Sequence, residues 1–266
     1  MFCPALVRAC DFVPYPITHC SVLSVDMDLP SLASLSLGSG PTLRQRWLKA
    51  CGVRPRFKAW KNLKGRDKHR MLHSIAMSSE DDTIGAQGQY LSTYTETDID
   101  DIMASRLWSV EHVVPRSAVN GKAAGDAEND PLGWVEATRQ ANSMRSSYPL
   151  VLWELKHETG ARANFVRLGG EQHFVPPLAQ RARLARKWLF VRATYSHEHI
   201  SPPSNAQLAH LQEIIALARD GVVGVAEQRA HDALVSLLGG GWRNPLMNHD
   251  SRKEFLNGPG FAALVS

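Results

Sequence analysis

No apolar run in this chain approaches the roughly 18 residues that a membrane-spanning helix needs. Cysteine is scarce. The four present, Cys3, Cys10, Cys20 and Cys51, all lie early, and no two stand at CxxC spacing. That spacing is the usual mark of a thiolate zinc or iron–sulfur site, so such a centre is not expected, and a disulfide framework through the later part of the chain is excluded. There are no internal repeats. Gly239-Gly240-Gly241 lacks the following Lys-Ser/Thr of a phosphate loop and reads as a helix cap. Met1 to Thr42 lacks a basic stretch followed by an unbroken apolar one, so it does not read as an export signal, and Arg8 is its only arginine.

What is there suits a folded domain. The chain has 266 residues, 44% of them apolar and 21% charged, enough for a substantial core and against wholesale disorder. The net charge of +4 allows association with a polyanion, or ordinary solubility. The charge is unevenly placed. Residues 44–70 hold eleven Lys and Arg against Asp67 alone, while 80–101 hold seven acidic residues and no Lys or Arg. The basic stretch suits a phosphate backbone, a solvated face or an acidic partner. The acidic one reads as a solvated loop and helix start.

Residues 1–43 read as an extension punctuated by Pro4, Pro14, Pro16, Pro30 and Pro41, with short strands near 20–25 and enough apolar content to pack on the domain or on a protein partner. The pattern predicts helices over 67–78, 134–147, 179–195, 205–219 and 225–238. It predicts a strand over 108–115, a loop over 116–131, and two or three short strands over 150–176 broken by Gly160 and Gly169-Gly170. Trp242 is expected to anchor the tail in the core. His249 beside Asp250 reads as a structural hydrogen bond. His197 and His199 flank Glu198 in what reads as a surface loop.

Two strings carry chemistry. One is Trp108-Ser109-Val110-Glu111-His112-Val113-Val114-Pro115-Arg116-Ser117. The other is Gln140-Ala141-Asn142-Ser143-Met144-Arg145-Ser146-Ser147-Tyr148-Pro149. Together they supply a carboxylate, an imidazole, an amide and guanidiniums. Hydrolysis of a phosphodiester needs hydroxide near the phosphorus and positive charge where the oxygens gain electrons. A neutral imidazole is the natural base near pH 7. A hard divalent cation prefers carboxylate and amide oxygens with waters completing its shell. Adjacent strand residues point to opposite faces, so Glu111 and His112 can share a target only where the strand ends, twists or bulges. A hairpin followed by a helix would bring Asn142 beside Glu111, with Arg145 three residues on along the same helical face. Arg116 is a second candidate for the phosphate. Arg181, Arg183, Arg186 and Lys187 form a basic stripe that suits DNA contact or covers apolar surface.

The chain resembles the endonuclease I family of nonspecific nucleases, within the His-Me finger (ββα-metal) superfamily. The resemblance rests on Glu111-His112-Val113-Val114-Pro115-Arg116-Ser117 and on Ala141-Asn142-Ser143-Met144-Arg145-Ser146-Ser147-Tyr148-Pro149. Further similarity lies in Leu63-Lys64-Gly65 through Leu72-His73, in Thr97-Asp98, in Phe174-Val175-Pro176-Pro177 through Ala185-Arg186-Lys187 and Tyr195, and in Arg243-Asn244-Pro245-Leu246 with His249. It departs from the family pattern at Asp130-Pro131-Leu132-Gly133-Trp134, at Ser147 and at Lys187.

The resemblance implies an α+β fold with a ββα-metal core and helices around it, over residues 44–266. It implies His112 as general base, Glu111 and Asn142 as ligands of one Mg²⁺ for which Mn²⁺ or Ca²⁺ can substitute, and Arg145 and Arg186 near phosphate or in structural support. Arg116, Arg145, Arg183, Arg186 and Lys187 are the expected nucleic-acid contacts. The implied activity is cleavage of DNA, and often RNA, to 5′-phosphate and 3′-hydroxyl ends without marked sequence preference. Bacterial members are often periplasmic or secreted. A catalytically silent structural or nucleic-acid-binding subunit is the alternative.

Overall fold

A computed structural model describes residues 41–55, 57, 108–119, 124–155, 165–195, 200–258 and 260–266. The expected strands near 20–25, the helix over 67–78, most of the basic run, the acidic stretch, the similarities at 63–73 and 97–98, and His197 with His199 lie outside the described residues.

The first element, helix α1 (Leu43–Cys51), opens on a complete capping box. Thr42 accepts from the Gln45 amide while the Gln45 side chain accepts from the Thr42 amide. Its inward face carries Trp47, which packs edge-on against Phe255 and Phe261 and donates to Thr194 Oγ1 at 3.1 Å. Just past its end, Gly52 pairs with Trp242 at φ +91°, and a Cβ there would sit 1.7 Å from the Gly241 carbonyl oxygen. Glycine is what lets these two backbone segments meet.

The fold is a mixed α+β arrangement with two small antiparallel two-stranded sheets. Strand β1 (Trp108–His112) is followed by a 3₁₀ turn at Arg116–Ala118 and a short helix α2 (Ala124–Asn129), where the sequence reads as loop throughout. Strand β2 (Trp134–Thr138) then pairs with β1, and helix α3 (Arg139–Arg145) follows without an intervening loop. The expected helix over 134–147 is therefore strand for its first part. Trp134, Val135 and Thr138 favour a pleated backbone once a partner strand is available. The Thr138 hydroxyl accepts from the Ala141 amide and starts α3. Ser146, at φ +49°, ends it.

Strands β3 (Phe165–Leu168) and β4 (Glu171–Phe174) form the second hairpin, and its two-residue turn Gly169-Gly170 has positive φ at both positions. Helix α4 (Leu178–Tyr195) is the spine of the core, with Leu184, Trp188, Leu189, Phe190 and Tyr195 all buried. The helix expected over 205–219 is two, α5 (Asn205–Ala209) and α6 (Leu211–Asp220), divided at His210. Helices α7 (Val225–Leu237), α8 (His249–Leu256) and α9 (Phe261–Val265) complete the chain. No described helix is long and apolar enough to cross a membrane.

Two faces of the β1–β2 hairpin have different neighbours. In the register, Val110 stands opposite Glu136 and His112 opposite Trp134, while Ser109 faces Ala137 and Glu111 faces Val135. Arg183 of α4 reaches Glu136 at 2.8 Å on the first face. Arg145 and Asn142 of α3 reach Glu111 and Ser109 on the second. The hairpin thus lies between α3 and α4.

The buried Asp130 ties distant parts together. Its carboxylate accepts from the Leu132 amide at 2.9 Å, the Tyr195 hydroxyl at 2.8 Å and the Trp242 indole at 3.0 Å. Burial raises its pKa, and the three donors oppose that rise.

Candidate active site on the first hairpin

Glu111 is 3% exposed and Arg145 1% exposed, and they form an ion pair. The same guanidinium donates to the His112 carbonyl at 3.0 Å and the Val113 carbonyl at 2.9 Å. Arg145 thereby fastens the end of α3 to the end of β1. Burial pushes the Glu111 carboxyl up to about 7, and Arg145 works against that rise through its charge and its hydrogen bond.

Asn142 lies one turn earlier on α3. Its Nδ2 donates to Ser109 Oγ at 2.8 Å and to the Val110 carbonyl at 3.0 Å. A carbonyl only accepts, so the amide is oriented with Oδ1 turned from these partners. The Asn142 oxygen and the second Glu111 oxygen make no hydrogen bond among the described residues. An amide oxygen and a carboxylate oxygen are donors of the kind that a hard divalent ion takes, with waters filling the other positions. No three His, Cys, Asp or Glu side chains gather into a metal-holding group among the described residues.

His112 points to the other side. Pairing is regular through His112 opposite Trp134 and continues in a Val113 N–H to Gly133 carbonyl bond of 3.1 Å, so neighbouring side chains alternate faces. The His112 ring lies edge-on to Trp134 with centroids 5.7 Å apart. Its Nε2 is 3.0 Å from the Glu128 carbonyl oxygen, which also accepts from the Trp134 indole at 2.9 Å. The carbonyl fixes the proton on Nε2, and the neutral ring then carries its lone pair on Nδ1.

Of the expected phosphate-binding residues, Arg116 is exposed, in an ion pair with Glu128. Arg145, Arg183 and Arg186 are buried, and Lys187 is half-buried. Arg183 meets Glu136 at 2.8 Å. Arg186 meets Glu227 at 2.6 Å and the Gly221 carbonyl at 3.1 Å. Lys187 donates to the Leu132 carbonyl at 3.1 Å. Burial, with Arg183 alongside, brings the Lys187 ammonium down to about 8. Arg181 holds the Pro176 carbonyl at 3.0 Å and the Trp153 carbonyl at 2.7 Å. Along this helix the cations bind the protein's own carboxylates and carbonyls. His249 stays exposed, 3.2 Å from Asp250.

The structure brings Glu111, Asn142 and Arg145 together and places His112 across the hairpin from them. Sequence reasoning missed the Glu128 carbonyl and the Ser109 hydroxyl. A main-chain acceptor leaves no trace in residue type, and Ser109 has a visible role only once β1 and α3 are placed side by side.

No protein-family profile matches this chain. No curated protein matches it either.

Proposed function

We propose that this chain is an endonuclease of the His-Me finger kind, dependent on one divalent metal ion, which hydrolyses phosphodiester bonds of DNA. The observation that carries the reading is the Glu128 carbonyl on His112 Nε2, which keeps hydrogen on that nitrogen and makes Nδ1 the basic one, next in sequence to Glu111. The resemblance of the two strings to the endonuclease I family is its second support.

In this reading Glu111 and Asn142 hold the ion. A bound divalent ion would acidify water and neutralise charge gathering on the phosphoryl and leaving oxygens. His112 accepts the proton of the attacking water at Nδ1, and the Glu128 carbonyl steadies the imidazolium through Nε2–H. Arg145 is a positioning residue, since its guanidinium sets the Glu111 carboxylate and the end of β1. Arg116 is the exposed cation available to a phosphate oxygen.

The test is nicking of supercoiled plasmid by wild type and His112→Ala, each with Mg²⁺ and with EDTA. The expected result is nicking by wild type in Mg²⁺ alone, with a loss of at least a hundredfold in His112→Ala. Equal rates in the two proteins would overturn the reading.

One observation favours a second reading. Glu111 is already paired with Arg145, and His112 lies on the opposite face of the hairpin. A structural or nucleic-acid-binding subunit without catalysis needs nothing more from these groups. Folded wild-type protein that retards DNA in a gel yet never nicks it would support that reading.

A further inference from the structure

Beside the hairpin, α4, α5 and the segment after α3 enclose a cleft of about 310 Å³. That is near the lower end of the range for small-molecule pockets. Its walls include Arg192, Trp188, Ser147, Asn205, Glu171 and Arg145.

Arg192 is the unusual member. It is 4% exposed, yet it has no carboxylate partner among the described residues. Its NH1 donates to the Ser201 carbonyl, its guanidinium lies 5.2 Å from the Trp188 ring centre, and its buried Nε has no hydrogen-bond partner. Every other buried arginine of α4 has a carboxylate or two carbonyls. A guanidinium withdrawn from water without a counter-charge is costly, and an anion at hydrogen-bond distance would offset that cost. Burial acts on the cation in the expected sense, bringing its pKa down to about 10.

The neighbours fit an anion. Ser147 and Asn205 are exposed at the mouth and offer a hydroxyl and an amide donor. The Arg145 charge is already met by Glu111. Ser204 offers no proton: His173 Nδ1 faces the Glu171 carbonyl at 3.1 Å and so carries hydrogen, which leaves Nε2, 3.0 Å from Ser204 Oγ, to accept the hydroxyl proton. Glu171 is the one carboxylate of the lining, and its side chain is 53% exposed, so water screens it.

We infer that this cleft is a binding site for a small phosphate-class anion, held by the Arg192 guanidinium with Ser147 and Asn205 at its mouth. The planar guanidinium offers paired donors to tetrahedral oxygens, and a dianion balances its charge best. The site does not depend on the nuclease reading, since neither His112 nor Asn142 lines it.

Isothermal titration in EDTA at low salt tests it, with inorganic phosphate, adenosine 5′-monophosphate and adenosine as probes. EDTA removes any phosphate held through a metal ion. Wild type should bind phosphate or the monophosphate, and adenosine should give no heat. Tighter binding of the monophosphate identifies an esterified ligand, and equal or tighter binding of inorganic phosphate identifies the free ion. Arg192→Met keeps the stem against Trp188 and removes the charge; Ser147→Asp adds a repelling carboxylate at the exposed mouth without touching the core. Each should weaken binding at least tenfold. Should Arg192→Met fail to fold, Ser147→Asp decides. His112→Ala should bind as wild type does, so a failed nuclease assay and a failed phosphate titration are separate results. Absence of binding at millimolar phosphate, or wild-type affinity in the variants that fold, would overturn the inference.

Discussion

Replacing Arg145 with methionine removes one member of a buried ion pair while keeping most of the volume. Both side chains are almost wholly enclosed, and the guanidinium also serves the His112 and Val113 carbonyls at 3.0 and 2.9 Å. Breaking a buried pair from one side costs about 3–5 kcal/mol, because the remaining charge is left without compensation. That is a large part of the roughly 5–15 kcal/mol that holds a domain folded. The cost should depend on pH. Burial already raises the folded Glu111 carboxyl from 4.5 to about 7, and losing Arg145 raises it further. An acid raised in the folded state binds more protons there than when unfolded, so stability falls as pH rises from about 4.5 through the folded value. Arg145→Met should therefore lose more at pH 8 than at pH 5. Urea unfolding followed by tryptophan fluorescence at both pH values measures this. The double variant Glu111→Gln/Arg145→Met should recover part of the loss, since no charge remains buried. A single variant within 1 kcal/mol of wild type at pH 8, or a double variant less stable than the sum of the singles, would refute the reasoning.

His231 should give a pH dependence of opposite sign: its Nε2 accepts from the Asn244 amide, burial lowers its pKa from 6.5 to about 4, and the unfolded chain therefore binds the extra proton, so that roughly 3 kcal/mol is lost as pH falls through that window. Urea melts of wild type and His231→Gln at pH 7 and 4.5 check this, and an unchanged slope in the variant would sink it. Gly52→Ala, with a Cβ driven onto the Gly241 carbonyl at positive φ, should cost on the order of 3 kcal/mol and lower the thermal midpoint by several degrees; a shift under one degree would contradict the packing of α1 on the Trp242 segment. Asp130→Asn sets its one NH2 group against either the Leu132 amide or the Tyr195 and Trp242 donors, whichever oxygen it replaces, and chemical denaturation should show a loss of about 2–3 kcal/mol, where a neutral result would count against that junction.

The elements with a one-sided or uninterrupted pattern were legible from residue order alone. α4, α7, the Gly169-Gly170 turn and the buried Trp242 all lie within a residue or two of their expected places. β2 was hidden, because Trp134-Val135-Glu136-Ala137-Thr138 takes strand form only through its pairing with β1, a contact far away in sequence. The chemistry of α4 was misleading for a related reason. Arg183, Arg186 and Lys187 form a stripe along the chain, but Leu184, Trp188, Leu189 and Phe190 leave the helix no wholly polar face. A helix apolar on all sides is an interior helix, and its cations then need internal partners. Glu136 and Glu227, the partners they have, come from β2 and α7. The proximity of Asn142 and Arg145 to the β1 residues could be foreseen from a hairpin followed by a helix, whereas the Glu111–Arg145 pair and the Glu128 carbonyl on His112 arise only from the folded arrangement of β1, α2 and α3.

Manganese binding followed by electron paramagnetic resonance bears most directly on the proposed metal centre. Wild type should take up one Mn²⁺ per chain, and Asn142→Ala, which removes a ligand oxygen without disturbing the Glu111–Arg145 pair, should weaken that uptake at least tenfold. Equal stoichiometry and affinity in the two proteins would contradict the assignment of Asn142 and Glu111 as the groups that hold the ion.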